Sequence, residues 1–410
     1  DNILLAIPSL PIKKRKEIIR NIQEIGFPIL EVPSIEEITE GRAQIENLRR
    51  IEIENLLERD IVEPIPELLE EGIKDKVILI TGAGGSIGSE ISSQIAKMNP
   101  KKLILIEINE KNLYELIHNL KGNDYSEEIK FVLGDTGDMN LLKSLILENK
   151  VDLIFHTSAY KHVNLVEENP IQGLYNNVIS SFVICNLSSL LKVPKVILIS
   201  SDKAVRPKNV MGASKRVSEI LFQAFNKEFP DTCFSMVRFG NVLNSSGSVI
   251  PLFKEQIKNL KPLTITHPEV IRYFMTIKEA SQLVIQASSL AKGGEVFLLD
   301  MGEPVRILSL AQQMVALSGL TIKNEQNPNG DIEIVFTGLR PGEKLYEELL
   351  IDNNSKLTSH PLIFKAEENF IPYDNLVIKI KKLEQSLLNL DLEESLSLLQ
   401  DIVPEWERSL

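Results

Sequence analysis

Lys76-Val-Ile-Leu-Ile-Thr81-Gly82-Ala-Gly-Gly85-Ser-Ile-Gly88-Ser-Glu-Ile-Ser-Ser-Gln-Ile-Ala-Lys97 turns from apolar to glycine-rich to amphipathic within a few residues. Val77–Thr81 is a short apolar run of the kind that forms a strand buried on both faces. The spacing predicts a helix over Ser89–Lys97, just after the glycines. Glycine at 82, 85 and 88 permits a tight turn, close backbone approach to a pyrophosphate and close helix–sheet packing, with a helix N-terminus facing the phosphate charge. No Lys-Ser/Thr follows, so this is not a nucleoside-triphosphate loop. Taken alone, three glycines mark only a turn, and their context decides. A second strand, Leu103–Ile106, ends in Glu107, nineteen residues after Gly88. An acid there suits the 2′-hydroxyl of an adenosine ribose and repels a 2′-phosphate, favouring NAD over NADP. The plainer reading is a solvated strand-end carboxylate.

Strand and helix patterns keep alternating. Phe131-Val-Leu ends in Gly134-Asp135, where a backbone and a carboxylate can meet an adenine edge. Val151–Phe155 ends in His156-Thr-Ser-Ala-Tyr-Lys-His162; the two histidines have no nearby Cys or His partner, which argues against a metal site. A long helix over Ile171–Leu190 carries Asn176 and Asn177. The run from Val196 to Lys215 then becomes polar at Ser200, so a buried strand delivers Ser201, Asp202 and Lys203 at its carboxyl end, where open α/β sheets bind ligands. A hydroxyl, a carboxyl and an ammonium in succession can supply a hydrogen bond, an acid and a base. A helix is predicted over Gly212–Phe229 and a strand over Phe234–Phe239. The pattern beyond is less regular, as in a smaller domain laid over a sheet. Arg272, Arg340 and Lys344 there could clamp a diphosphate, or be surface charge.

These elements predict an α/β fold: a Rossmann-type doubly wound parallel sheet with a smaller C-terminal substrate domain, preceded by a partial α/β N-terminal domain. The divisions are 1–70 for the N-terminal part and its connector (34–71, charged and punctuated by Pro64 and Pro66), 71–240 for the dinucleotide domain, 241–350 mainly for the substrate domain with 275–300 returning to the main core, and 351–410 for a C-terminal helical segment. Residues 1–35 read as strand (Ile3–Ile7), helix (Lys13–Ile25, stopped by Gly26) and strand (Pro28–Val32). The 410 residues carry 43% hydrophobic and 25% charged side chains, ordinary for a globular protein, and a net charge of −12 that argues against a nucleic-acid surface. Cys185 and Cys233 are expected as buried thiols of a reducing compartment. No apolar run reaches membrane-span length, and the opening without Met is expected to be a cut from something longer.

The motifs together carry a family likeness. Gly82-x-x-Gly85-x-x-Gly88, Asn177, Ser201-Asp-Lys203, Lys215 and Arg238-Phe-Gly-Asn241 resemble an extended short-chain dehydrogenase/reductase. More narrowly, Ser201-Asp-Lys-Ala204, His156-x-x-Ala-x-Lys-His-Val163, Ser245-Ser-Gly-Ser-Val-Ile-Pro251, Arg272-Tyr-Phe-Met275 and Leu339-Arg-Pro-Gly-Glu-Lys-Leu-Tyr346 resemble bacterial UDP-N-acetylglucosamine 4,6-dehydratases of polysaccharide and protein glycosylation. Residues 1–70 look like the cytoplasmic part that long, membrane-anchored members carry, which implies a soluble, cytoplasm-facing piece of a membrane-anchored protein. The resemblance implies NAD as cofactor and no metal. Its contacts would be Gly82, Gly85, Ser86, Ile87, Gly88 and Glu107 on the glycine side, Asp135, Thr136, Ala159 and Lys161 on the next two strand ends, and Asn177 and Lys215 from the helices. Substrate contacts would come from Lys161, Asn241, Ser248, Val249, Arg272, Arg340 and Glu343. It further implies Lys203 as base at C5, Asp202 as acid for the departing 6-hydroxyl, Ser201 on the 4-hydroxyl and Lys215 on the nicotinamide ribose. Desolvation should push Lys203 toward the free amine and Asp202 toward the acid, against their mutual attraction.

One position departs from the wider superfamily. Met211-Gly-Ala-Ser-Lys215 stands where Tyr-x-x-x-Lys is usual, and a thioether cannot act as a base. The long-chain dehydratases also carry Met here; the acceptor of the 4-hydroxyl proton is left open between a water and Asp202. Two other functions remain: a UDP-sugar 4-epimerase, and a non-catalytic NAD(H)-binding regulator. By analogy alone, a homo-oligomer paired through helices is expected.

Overall fold

The computed structural model describes residues 62–121, 128–245, 247–349 and 355–407, with residues 3–7, 10, 12–23, 29–32, 49–50, 53 and 57 of the N-terminal region. Gly26, Pro28, most of the 34–71 connector and Ser246 lie outside the described residues.

The main sheet begins with β1 (Val77–Thr81), buried throughout. Helix α1 (Ser86–Ala96) starts three residues before the predicted Ser89, because Gly85 at its cap is extended and the glycine turn runs straight into it. There follow β2 (Lys102–Glu107), α2 (Glu110–Lys121), β3 (Glu128–Leu133), α3 (Met139–Asn149) and β4 (Leu153–His156). The helix predicted over Ile171–Leu190 is three pieces: Pro170–Leu174, a π turn at Tyr175–Ile179, and α4 (Ser180–Leu190). Next are β5 (Lys195–Ile199), α5 (Val210–Glu228) and β6 (Cys233–Arg238). Helix α6 (Ile277–Leu290) and β7 (Val296–Leu299) complete the parallel part of the sheet. The segment 351–410, expected to be helical, opens instead with β8 (Lys356–Leu357) and β9 (Ile363–Ala366), which pair antiparallel at the sheet edge. Only then come α7 (Tyr373–Leu388) and α8 (Leu392–Ile402).

The strand order is β8-β9-β7-β6-β5-β4-β1-β2-β3. Up to β7 the pairs are parallel. The order reverses between β1 and β4, and the crevice at such a switch point is where doubly wound sheets take ligands. Apolar side chains bury both faces, as near-continuous strand runs require: Leu79, Ile104, Ile154 and Leu198 on one, Ile78, Ile80, Phe155 and Ile197 on the other.

A smaller lobe has its own core around Leu243, Phe253, Leu263, Leu310 and Met314. The N-terminal strands Ile3–Leu5 and Ile29–Glu31 pair in parallel, and Leu5 and Ile19 join that lobe's core. Among the described residues no helix is long and apolar enough to cross a membrane.

Candidate active site

The cradle forms where β1 ends. Gly82 has φ +63°, and a Cβ there would come within 2.8 Å of the Ser158 backbone. At Gly88 a Cβ would sit 2.2 Å from the Gly82 carbonyl oxygen. Glycine is therefore required for the turn and for the seating of α1 against it. Ser86 and Ile87 open α1 beside this turn. Glu107 is not a solvated strand end. It is buried, and its two oxygens accept the Gly84 N–H and the Asn109 N–H, each at 2.9 Å. Asp135 accepts the Gly137 N–H at 2.8 Å, and the Thr136 hydroxyl lies 3.0 Å from that of Ser158, next to Ala159.

His156 ends β4 inside the protein. Its ring is bonded to Thr81 (2.8 Å) and Ser181 (3.1 Å). Burial, with a lesser push from the Lys215 charge, holds its pKa at about 3, so it is a neutral strut. Asn177 sits in the π turn; insertions of this kind recur at functional sites. Its side chain accepts the Tyr160 N–H (2.7 Å) and donates to the Tyr160 carbonyl (3.1 Å) and the Ser214 hydroxyl (2.9 Å). It thereby ties the β4 loop to α5.

At the tip of β5 the chain makes one 3₁₀ turn, Asp202–Ala204, capped by Ser201. Ser201 Oγ donates to Asp202 Oδ1 at 2.8 Å. Lys203 Nζ donates to the same oxygen at 3.0 Å and to Asn241 Oδ1 at 3.2 Å. Asn209 caps α5 by accepting the Gly212 N–H at 2.7 Å, which starts the helix two residues earlier than predicted. A Cβ on Gly212 would lie 2.3 Å from the Lys203 carbonyl oxygen, so the turn rests directly on the first turn of α5. Met211 is buried in the main core. Lys215 is 6% exposed, with no hydrogen-bond partner among the described residues. Burial brings its pKa down to about 8 despite the opposing pull of Glu219.

The charge on Lys203 corrects one expectation. Burial does push it toward the free amine, but Asp202 and Glu347 together outweigh that, and the pKa ends above the ordinary lysine value. Lys161 is lowered by partial burial and by the charge of Lys203.

The smaller lobe supplies the remaining expected residues. Ser248 stands at the N-cap position of the helix Val249–Lys258, and its hydroxyl is buried with no hydrogen-bond partner among the described residues. The guanidinium of Arg272 is engaged by the loop beside it: it donates to the carbonyls of Ile271, Lys344 and Leu345 and to Glu343 Oε1. Lys344 donates to the Val205 carbonyl at 2.7 Å. Of the three cations expected to clamp a diphosphate, only Arg340 stands exposed without a side-chain partner among the described residues. Glu343 accepts from Thr266 Oγ1 and from the Arg340 N–H. Sequence reading missed Glu347, which reaches the Asp202–Lys203 pair. Its signal was its place immediately after the 339–346 motif.

The profile of a family described as polysaccharide biosynthesis proteins matches residues 78–368. The chain belongs to that family. The capsular polysaccharide biosynthesis protein CapD of Staphylococcus aureus is 46% identical over 353 residues, covering 86% of this chain and 58% of its own. This chain thus spans somewhat more than half of that relative. A UDP-glucose 4-epimerase of Rickettsia bellii is 34% identical over 282 residues, covering 67% of this chain and 78% of that one. Among solved structures, Pen from Bacillus thuringiensis superposes with a TM-score of 0.64 at 33% identity, over 73% of this chain and 92% of its own. DesIV from Streptomyces venezuelae, a dTDP-glucose 4,6-dehydratase with NAD and TYD bound, shares the fold at 19% identity (TM-score 0.56; 67% of this chain, 88% of that one). The family and the fold place the chain in the extended short-chain dehydrogenase/reductase superfamily. The glycine turn, the N-terminus of α1 and the buried Glu107 make a site that fits NAD.

Proposed function

We propose that the chain carries out NAD-dependent 4,6-dehydration of UDP-N-acetylglucosamine, giving a UDP-4-keto-6-deoxy-N-acetylhexosamine for bacterial polysaccharide or glycoprotein synthesis. One observation supports this reading above the others: Ser201, Asp202 and Lys203 form a single hydrogen-bonded cluster at the tip of β5. Elimination of water needs an acid and a base together; a C4 epimerisation needs only one proton acceptor.

NAD, when bound, would supply the temporary hydride acceptor for C4 and donor for C6. Ser201 would hold the sugar's 4-hydroxyl and pass its proton to Asp202, to which it is already bonded at 2.8 Å. Met211 is buried and offers no base, so on this reading Asp202 takes the proton. Asp202 then gives that proton to the departing 6-hydroxyl, which leaves as water. Lys203, as the free amine, removes the C5 proton; the C5–H electron pair becomes the C5–C6 double bond as the C6–O bond breaks. The same lysine later returns the proton to C5. Lys215, charged below about pH 8, would favour the alkoxide developing at C4. Arg340, Glu343 and Ser248 would receive the nucleotide diphosphate.

The test is incubation with UDP-N-acetylglucosamine followed by mass spectrometry. The expected product is lighter by one water, and Asp202→Asn and Lys203→Ala should each lower turnover by roughly 10²- to 10⁴-fold with the fold intact. Near-normal rates in both variants would remove these roles. A second reading, UDP-sugar 4-epimerase, is favoured by the Rickettsia relative. A product of unchanged mass that keeps its 6-hydroxyl would select it.

A further inference from the structure

The proposed chemistry leaves one buried acid unused. The side chain of Glu347 is 5% exposed, and its Oε1 stands 3.9 Å from Lys203 Nζ. Its Oε2 is buried with no hydrogen-bond partner among the described residues. A carboxylate oxygen left in that position is costly unless it is protonated or balanced by a cation. The charges facing Glu347 are Lys203, Asp202, Arg272 and Lys344. Arg272 is already bonded to Glu343 and three backbone carbonyls, and Lys344 to the Val205 carbonyl. Lys161 faces the cluster from the β4 loop and repels Lys203. Lys203 is therefore the cation that balances Glu347, while it also serves Asp202.

We propose that Glu347 is a positioning residue that sets the charge on Lys203, and with it the pH range in which Lys203 can act as a base. The consequence for turnover rests on the dehydratase reading above; the control of charge does not. Two carboxylates around one ammonium hold its proton in place, yet the reaction needs that nitrogen free. Burial holds the Glu347 carboxyl above the usual carboxylate range, against the pull of Lys203 and with the help of Asp202. When Glu347 gains a proton, one of the two anions retaining the Lys203 proton disappears, and the amine is released more easily. Glu347→Gln imitates that protonated form permanently and keeps the size of the side chain.

The experiment reads Lys203 directly, by trace acetylation with acetic anhydride across pH and peptide mass spectrometry. In Glu347→Gln the pH midpoint at which Lys203 becomes reactive should fall by about one unit or more, a tenfold gain in free amine at a given pH. Glu347→Asp keeps the charge but withdraws it by one methylene. It should give a smaller shift, and it serves if the glutamine variant does not fold. The rising limb of kcat against pH, for water loss from UDP-N-acetylglucosamine, should move in the same direction by the same amount, with KM changed by less than about twofold. An unmoved Lys203 midpoint in a folded variant overturns the inference, and so does a moved midpoint with an unmoved rate limb. A moved midpoint in a protein that releases no water from this substrate upholds the control of charge and sinks the dehydratase reading instead.

Discussion

Lys215 is a buried ammonium on α5, and the fold loses stability by keeping it there. Its pKa falls from 10.5 to about 8, chiefly through burial. Between those two values the unfolded chain binds a proton that the folded chain does not, so stability rises with pH across that window. Below about pH 8 both states are charged and the whole penalty, about 3 kcal/mol, is present. Lys215→Met, similar in volume, should therefore raise the unfolding free energy at pH 7 by up to about 3 kcal/mol while abolishing turnover. The gain should shrink as pH approaches 10.5. Thermal melts at pH 7 and pH 10 check this, and a methionine variant that melts below the parent at pH 7 contradicts it. Asp202 and Lys203 obey the opposite logic. They are paired, so a change at one leaves the other exposed to an unbalanced charge.

Three elements meet at Arg238, the last residue of β6. It is fully buried and forks onto Glu219 of α5 (2.6 and 2.7 Å) and onto Glu368, just beyond β9 (2.6 and 2.7 Å). Arg216, also on α5, joins the same two acids and Glu405. Glu219 in turn accepts from Ser200 at 2.7 Å, one residue before the reactive cluster, and lies one helical turn after Lys215. Arg238→Met removes the fork from two buried carboxylates and leaves them to Arg216; it should cost about 3–5 kcal/mol, read as a lower urea midpoint. An unchanged midpoint would show that the acids find other partners. Arg238 was visible in the sequence only as part of Arg238-Phe-Gly-Asn241, because Glu368 lies 130 residues away and no local pattern reports such a pairing. The tips of β1, β4 and β5 were legible, since each strand shows an abrupt change from apolar to polar exactly where ligands are bound in such sheets. The π turn was not, because its residues keep a helical pattern and the partners of Asn177, Tyr160 and Ser214, lie 17 and 37 residues away. Strands β8 and β9 were missed for a related reason: two and four residues are too few to show alternation, and the sheet edge they extend is built from β7. Glu347 belongs with these, being an ordinary acid until the loop carries it to Lys203.

At the level of the whole molecule, the chain covers its own central helix. Residues Val210 through Phe225 of α5 are all buried within the single chain. Helices α7 and α8 provide much of the cover: Leu376, Ile380, Leu383, Leu387, Leu396, Leu399 and Ile402 share a core with Val217, Ile220, Leu221 and Phe225. Tyr373 adds an edge-to-face contact on Phe225 at 5.0 Å, and Trp406 is 2% exposed beside them. That face of α5 is occupied from within the chain. A chain ending at Pro372 should therefore expose a contiguous apolar strip on α5, and strips of that kind drive association. Size-exclusion chromatography with light scattering should show the shortened chain as dimers or larger species, with a lowered melting temperature. A shortened chain that stays monomeric and melts like the parent would mean that α5 needs no cover.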